Sequence, residues 1–225
     1  MRHSRAEKKL HTRRALLDGT LDLLKVRGFA TVSLREVAGE CSCASRHLSS
    51  SFESMEDLGT VLAEESVRAL RDTFRQARRE AGSDNPAKIL GLMVDRVSEH
   101  ANNFRFLVRE RHGGSPQIRR AINNEMRMLT NDVVVELARN PATNHHSTED
   151  LEIAADLIAG SILNTIGMLV DTDHPTDADA NGALNRALRQ LELVTSGLAH
   201  SRTVMTVIAE PAEARGESSA TTAAP

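Results

Sequence analysis

The feature that most constrains this chain is the recurrence of apolar residues at helical spacing, in segments that open and close on recognisable helix signals. Leu10, Leu16, Leu17, Leu21, Leu23 and Leu24 share one period between Lys8 and Arg27, and Gly28 follows as a stop. Ser33-Leu-Arg-Glu36 fits a capping box, in which the serine hydroxyl accepts an orphan backbone N–H and the glutamate reaches back. These signals predict a short helix over 33–40 and, after a turn at 41–44, a second over 45–51. A long helix then starts on the Ser54/Asp57 cap and runs to about 81. Beyond a break at Gly82–Pro86, helices are expected over 86–100, 102–112, 116–139, 148–171 and 177–200. Between them stand GGSP at 113–116, NPATNHHS at 140–147 and DTDHPTD at 171–177, all rich in helix-ending residues. No strand pair or internal repeat is visible, and the fold class is all-α.

Composition narrows what such a bundle can do. With 225 residues, 40% of them hydrophobic and 26% charged, the chain can bury a sizeable core and remain in water. Cys41 and Cys43, separated by one residue, cannot frame a disulfide scaffold, and a reducing, cytoplasmic setting is expected. The opening MRHSRAEKKLHTRR has no apolar stretch that a signal peptide requires. The window 151–170 carries Glu152 and Asp156 and reads as a buried helix, so no membrane partner is expected. The net charge of −3 conceals an asymmetry: Arg2, Arg5, Lys8, Lys9, Arg13 and Arg14 face only Glu7 within residues 1–14. A flexible basic arm over 1–9 is expected, and such a patch suits a polyanion. Residues 209–225 have no apolar anchor beyond alanine, and the tail 206–225 is expected to be disordered.

Catalysis finds no support. P-loop, G-x-S-x-G, H-E-x-x-H and G-x-G-x-x-G patterns are all missing, so neither an enzyme nor a cofactor is expected. Cys41-x-Cys43-x3-His47 offers three ligands where a closed metal site wants four, and reads as small side chains packing a turn. His145-His146 reads as a solvated connection.

Two short helices joined by a tight turn, behind a longer helix and a basic arm, outline a helix-turn-helix whose second helix enters the DNA major groove. The residues sharpen the outline. Gly28-Phe-Ala-Thr-Val-Ser-Leu-Arg-Glu-Val-Ala38, with Phe52 and then Met55-Glu-Asp-Leu58, resembles the N-terminal domain of TetR-family transcriptional regulators over about residues 10–70. Phe104-Arg-Phe-Leu-Val-Arg-Glu-Arg-His-Gly-Gly-Ser115, followed by Ile118-Arg-Arg-Ala-Ile122, resembles the FabR/DesT branch, which represses unsaturated fatty acid synthesis. That resemblance implies a homodimer on a double-stranded palindromic operator, with a hydrophobic effector such as a long-chain acyl thioester. It implies a DNA-binding domain at 10–70 and a larger ligand and dimerisation domain at 71–205. On the DNA side it points to Arg13, Arg14, Ser33, Leu34 and Arg35, and to Ser45, Arg46, His47, Ser49, Ser50 and Ser51 of the reading helix. This chain departs from the family pattern there. Ser42 and Cys43 replace the usual glycine and aliphatic residue of the turn, and Ser49 and Ser51 replace an aromatic and a histidine. A weaker or altered operator preference is the expected consequence.

Leu90, Met93, Val94, Val97, Phe104, Leu107, Ile118, Ile122, Met126, Leu129 and Val133 form an apolar stripe through three helices and are mostly core. Within it, Met93, Val97, Phe104, Leu107, Ile122 and Met126, with Arg111, are the candidate effector-binding residues. Arg109, Glu110, Arg111 and His112 suit an ion-paired helix end, or Arg109 or Arg111 braces the helix that reports effector occupancy. Leu151, Leu157, Ile158, Ile162, Leu163, Ile166 and Leu169, with Leu184, Leu188, Leu191, Leu193 and Val194, exceed what one core needs. Pairing with a second copy would bury the surplus. Two other readings stay open: an acyl-ligand-binding protein that has lost operator recognition, and a helical partner module for another regulator.

Overall fold

The computed structural model describes residues 5–41, 51–82, 85–171 and 176–200. Among these are eight helices and no strand: α1 (Arg5–Leu23), α2 (Leu34–Glu40), α3 (Met55–Ala81), α4 (Pro86–Asp95), α5 (Ala101–Glu110), α6 (Pro116–Arg139), α7 (Thr148–Val170) and α8 (Asp177–His200). The expected reading helix at 45–50 and the C-terminal tail lie outside the described residues.

Helix starts follow the caps. Ser33 Oγ accepts the Glu36 N–H while Glu36 Oε2 accepts the Ser33 N–H at 2.8 Å, completing the capping box of α2. Ser54 Oγ accepts the Asp57 N–H at 3.0 Å to start α3, and Asn85, Ser115, Ser147 and Thr176 open the later helices in the same way. Gly82 ends α3 at φ +79°, ψ 155°, a backbone region that side chains avoid.

Three boundaries differ from expectation. α1 begins at Arg5, so residues 5–9 of the expected basic arm are helical, and it ends at Leu23 rather than Arg27. Leu24 is buried and keeps its bond to the Thr20 carbonyl, but the Lys25 N–H turns back to the Asp22 carbonyl and Val26 is 87% exposed, so nothing apolar holds the turn beyond Leu24 in the helical ladder. The expected helix at 86–100 divides at Arg96, where three-residue backbone bonds replace four-residue ones and a 3-10 turn, Val97–His100, carries Val97 inward.

One continuous core runs from Leu16 to Leu198. α7 lies at its centre, packed by α5, α6 and α8, with α3 spanning the molecule against α4, α5 and α6. Among the described residues, α7 alone is long and apolar enough to cross a bilayer, and most of that stretch is buried within the protein. The N-terminal helices meet the rest at a tight seam: a Cβ on Gly59 would stand 2.4 Å from Ile118 Cδ1 and 2.6 Å from Phe29 Cζ. Gly59→Val should therefore lower stability by about 1–3 kcal/mol through overpacking, outweighing a gain in helix propensity. Urea unfolding measures this; a raised midpoint would contradict the seam.

Candidate nucleic-acid interface and effector core

Both ends of segment 42–50 are held on α1. At its entry, Cys41 packs beside Gly19, whose built Cβ would stand 3.5 Å from Cys41 Cβ. At its exit, Arg13 donates to the Ser51 carbonyl at 2.9 Å and lays its guanidinium over the buried Phe52 ring, 4.4 Å from the centroid. Arg14 pairs with Asp18 and Glu65, both at 3.1 Å, with its side chain 59% exposed. The two arginines expected to meet phosphate thus have partners within the chain. Ser33 is occupied by its cap, Leu34 is half-buried, and Ser51 is buried. Arg35 is exposed and makes no hydrogen bond or ion pair with any described residue. Ser45, Arg46, His47, Ser49 and Ser50 lie outside the described residues.

Arg27 reinforces this end by pairing with Glu36 at 2.7 Å and donating to the Thr31 carbonyl. The Ser33 hydroxyl first, and then the Arg27 guanidinium, lower the Glu36 carboxyl to about 2 from an ordinary 4.5.

A second set of contacts joins α1 to the body. Phe29 meets Phe106 edge-on at 5.9 Å, and its N–H donates to the Glu110 carboxylate. Burial raises the Glu110 carboxyl, and the Phe29 N–H opposes that shift. Arg109 donates to the Leu24 carbonyl at 3.3 Å and reaches Asp171 at 3.5 Å; Arg105 donates to the Val170 carbonyl at 2.6 Å. α5 is thereby tied to the ends of both α1 and α7. The Arg111 side chain makes no hydrogen bond or ion pair with any described residue, so the brace expected of Arg109 or Arg111 has its contacts at Arg109.

The apolar effector candidates converge. Met93 from α4, Val97 from the 3-10 turn, Phe104 and Leu107 from α5, and Ile122 and Met126 from α6 are each no more than 8% exposed. They are close-packed core; an apolar crevice of about 20 Å³ lies elsewhere, between α4, α7 and α8 beside Leu90, Ile162 and Leu191. Of the apolar surplus expected on α7 and α8, Leu151, Ile158, Ile162, Leu163, Ile166 and Leu169 are buried within the chain, a correction to their expected role. Leu157 and Leu193 stay more than half exposed, together with Ile153 and, less so, Met168.

Residues 87–207 match the family described as Tetracyclin repressor-like, C-terminal domain. The chain belongs to the TetR family of transcriptional regulators. Solved structures agree on the fold. A protein of Pseudomonas aeruginosa PAO1 classed as a transcriptional regulator superposes with a TM-score of 0.67 at 14% identity, covering 84% of this chain and 92% of that one. FadR of Bacillus subtilis, solved in complex with stearoyl-CoA, gives 0.65 at 17% identity, covering 82% and 98%. The fatty acid degradation regulator FadR of Bacillus halodurans gives 0.63 at 15% identity, covering 90% and 99%. These likenesses carry the fold, and the matched family is that of TetR-type transcriptional regulators.

In this TetR-family chain the capped α2 is open to direct test. Glu36 is depressed relative to an unfolded carboxyl, so its contribution is complete above about pH 4.5 and is lost as pH falls toward 2. A carboxyl NMR titration should place the Glu36 midpoint near 2 and show it rising toward 4.5 in Ser33→Ala. A midpoint that ignores Ser33→Ala would contradict the capping box.

Proposed function

We propose that this chain is a dimeric repressor that grips a palindromic operator through residues 10–70 and releases it when a hydrophobic effector occupies the body at 71–205. The observation that carries the proposal is the double anchorage of segment 42–50 on α1. Nine residues leave beside Gly19 and return at Arg13, six positions or about 9 Å along one helix. Cys41 and Ser51, on either side of the reading helix expected from the sequence, thus rest on one helix, which fits a helix-turn-helix. Arg46 and His47 then read base edges, while Arg35, Ser45, Ser49 and Ser50 take phosphates. Arg13 acts one step back, fixing where the reading helix ends.

The exposed Ile153, Leu157, Met168 and Leu193 support a homodimer, because α7 and α8 side by side present an apolar strip that a second copy of the same strip would cover. Two reading helices about 34 Å apart would match successive major grooves.

The effector reading draws support from the enclosed core of Met93, Val97, Phe104, Leu107, Ile122 and Met126 and from the stearoyl-CoA bound by the Bacillus subtilis relative. A long acyl chain needs a site of roughly 300 Å³ or more, so occupancy must part helices that are now in contact. Arg109, on the helix that would move, carries the displacement to the Leu24 carbonyl. Genes of fatty acid metabolism are the targets this effector class suggests. The serines at 42, 49 and 51 favour a second reading, an acyl-binding protein without an operator.

Pull-down of genomic fragments with and without a long-chain acyl thioester separates the two. The repressor reading expects discrete fragments that are lost on adding the thioester; thioester binding with no retained fragment supports the second reading and overturns the first. Leu157→Asp with Leu193→Asp should convert a dimer to a monomer by light scattering and abolish fragment retention. A wild-type monomer at micromolar concentration would contradict the dimer.

A further inference from the structure

α3 and α6 run in the same direction: Gly59 faces Ile118 near their starts, and Arg71 and Arg78 pair with Asp132 and Glu136 near their ends. Towards those ends lies a cleft of about 350 Å³. Arg75, Arg78, Arg79 and Arg139 line it, with Asp132 between them and Phe74 and Val135 as an apolar wall.

Two carboxylates, one helical turn apart, organise the arginines. Asp132 takes Arg71 Nε at 3.2 Å and Arg75 Nη2 at 3.1 Å; Glu136 takes Arg78 and, at 3.2 Å, Arg139. The Arg79 side chain makes no hydrogen bond or ion pair with any described residue, and its charge is felt at the neighbouring Glu80. Four guanidiniums, each with five N–H donors, therefore share two carboxylates, with Arg79 lining the cleft beside them, and the excess is both positive charge and unused donors. Helix C-termini attract cations, which accounts for Arg78, Arg79 and Arg139 one at a time. It does not account for Arg71 and Arg75, which lie further inside α3, or for convergence on one cavity.

We propose that this cleft binds a small ligand bearing adjacent phosphate groups. Guanidinium forks match phosphate oxygens in pairs, and a concave site of this volume suits a small molecule rather than a duplex or a flat protein face. The apolar wall of Phe74 and Val135 gives an organic group attached to the phosphates a surface to lie on. Arg75 is twenty residues along α3 from Met55, about 30 Å, so the cleft is separate from the operator-facing end. The site stands whether or not the chain binds DNA.

Calorimetric titration of the full chain, without DNA and at constant ionic strength, tests it with inorganic pyrophosphate, metal-free ATP and sulfate. Pyrophosphate and ATP should each saturate one site per chain, and Arg79→Gln should weaken both about tenfold. Arg120→Gln, at an exposed position elsewhere on α6, should change neither. Tighter binding of ATP than of pyrophosphate would show the apolar wall in use. Because the Arg79 side chain is exposed and makes no hydrogen bond or ion pair with any described residue, its variant should keep the wild-type circular dichroism; should it not, Arg139→Gln, with its side chain 64% exposed, supplies the same comparison. Absence of saturable binding, sulfate binding as tightly as pyrophosphate, or equal loss in the Arg79 and Arg120 variants would overturn the proposal.

Discussion

The packing of Phe29 is the contact on which the remaining geometry depends. Its ring sits against the edge of Phe106 and over the space that Gly59 leaves empty, and its backbone N–H is taken by the half-buried Glu110 carboxylate. α3, α5 and the segment between α1 and α2 thus meet at one side chain. The position of the N-terminal helices relative to the bundle follows from that meeting, because interiors packed at crystal density do not deform gradually. Arg109 holds the same joint from the other side through the Leu24 carbonyl.

Under the proposed repressor reading, a body with little open space would sense its effector by moving an element. The six apolar effector candidates are buried in one continuous core, so a ligand among them would displace an element rather than fill a void. α5 is the element with the widest connections, since it touches α1 through Arg109 and the end of α7 through Arg105. On that reading, movement of α5 would shift the joint at Phe29 and, through α1, the contacts that Arg13 makes with Ser51 and Gly19 with Cys41.

Local signals in the sequence translated well. The Ser33/Glu36 box and the Ser54/Asp57 cap occur as expected, because each is a contact between residues three apart and depends on little else. The break at Arg96 was not legible, since Val94 and Val97 satisfy helical spacing equally well whether the ladder continues or tightens. Partners distant in sequence were hidden for a different reason. Nothing in the order of residues tells that Arg13 meets Phe52, that Arg109 meets Leu24, or that Arg71, Arg75 and Arg78 share carboxylates about sixty positions away. Apolar excess on α7 and α8 was visible, but which of its residues face outward depends on how α5 and α6 cover α7. Ile158 and Ile162 are inside while Ile153 and Leu157, on the same helix, are out.

Hydroxyl-radical footprinting of the chain on the promoter fragment that it retains most strongly tests the central claim most directly. The account predicts two protected patches on one face of the duplex, centred one helical turn apart and fading as salt is raised. A single patch, or a duplex cleaved evenly along its length at low salt, would contradict it.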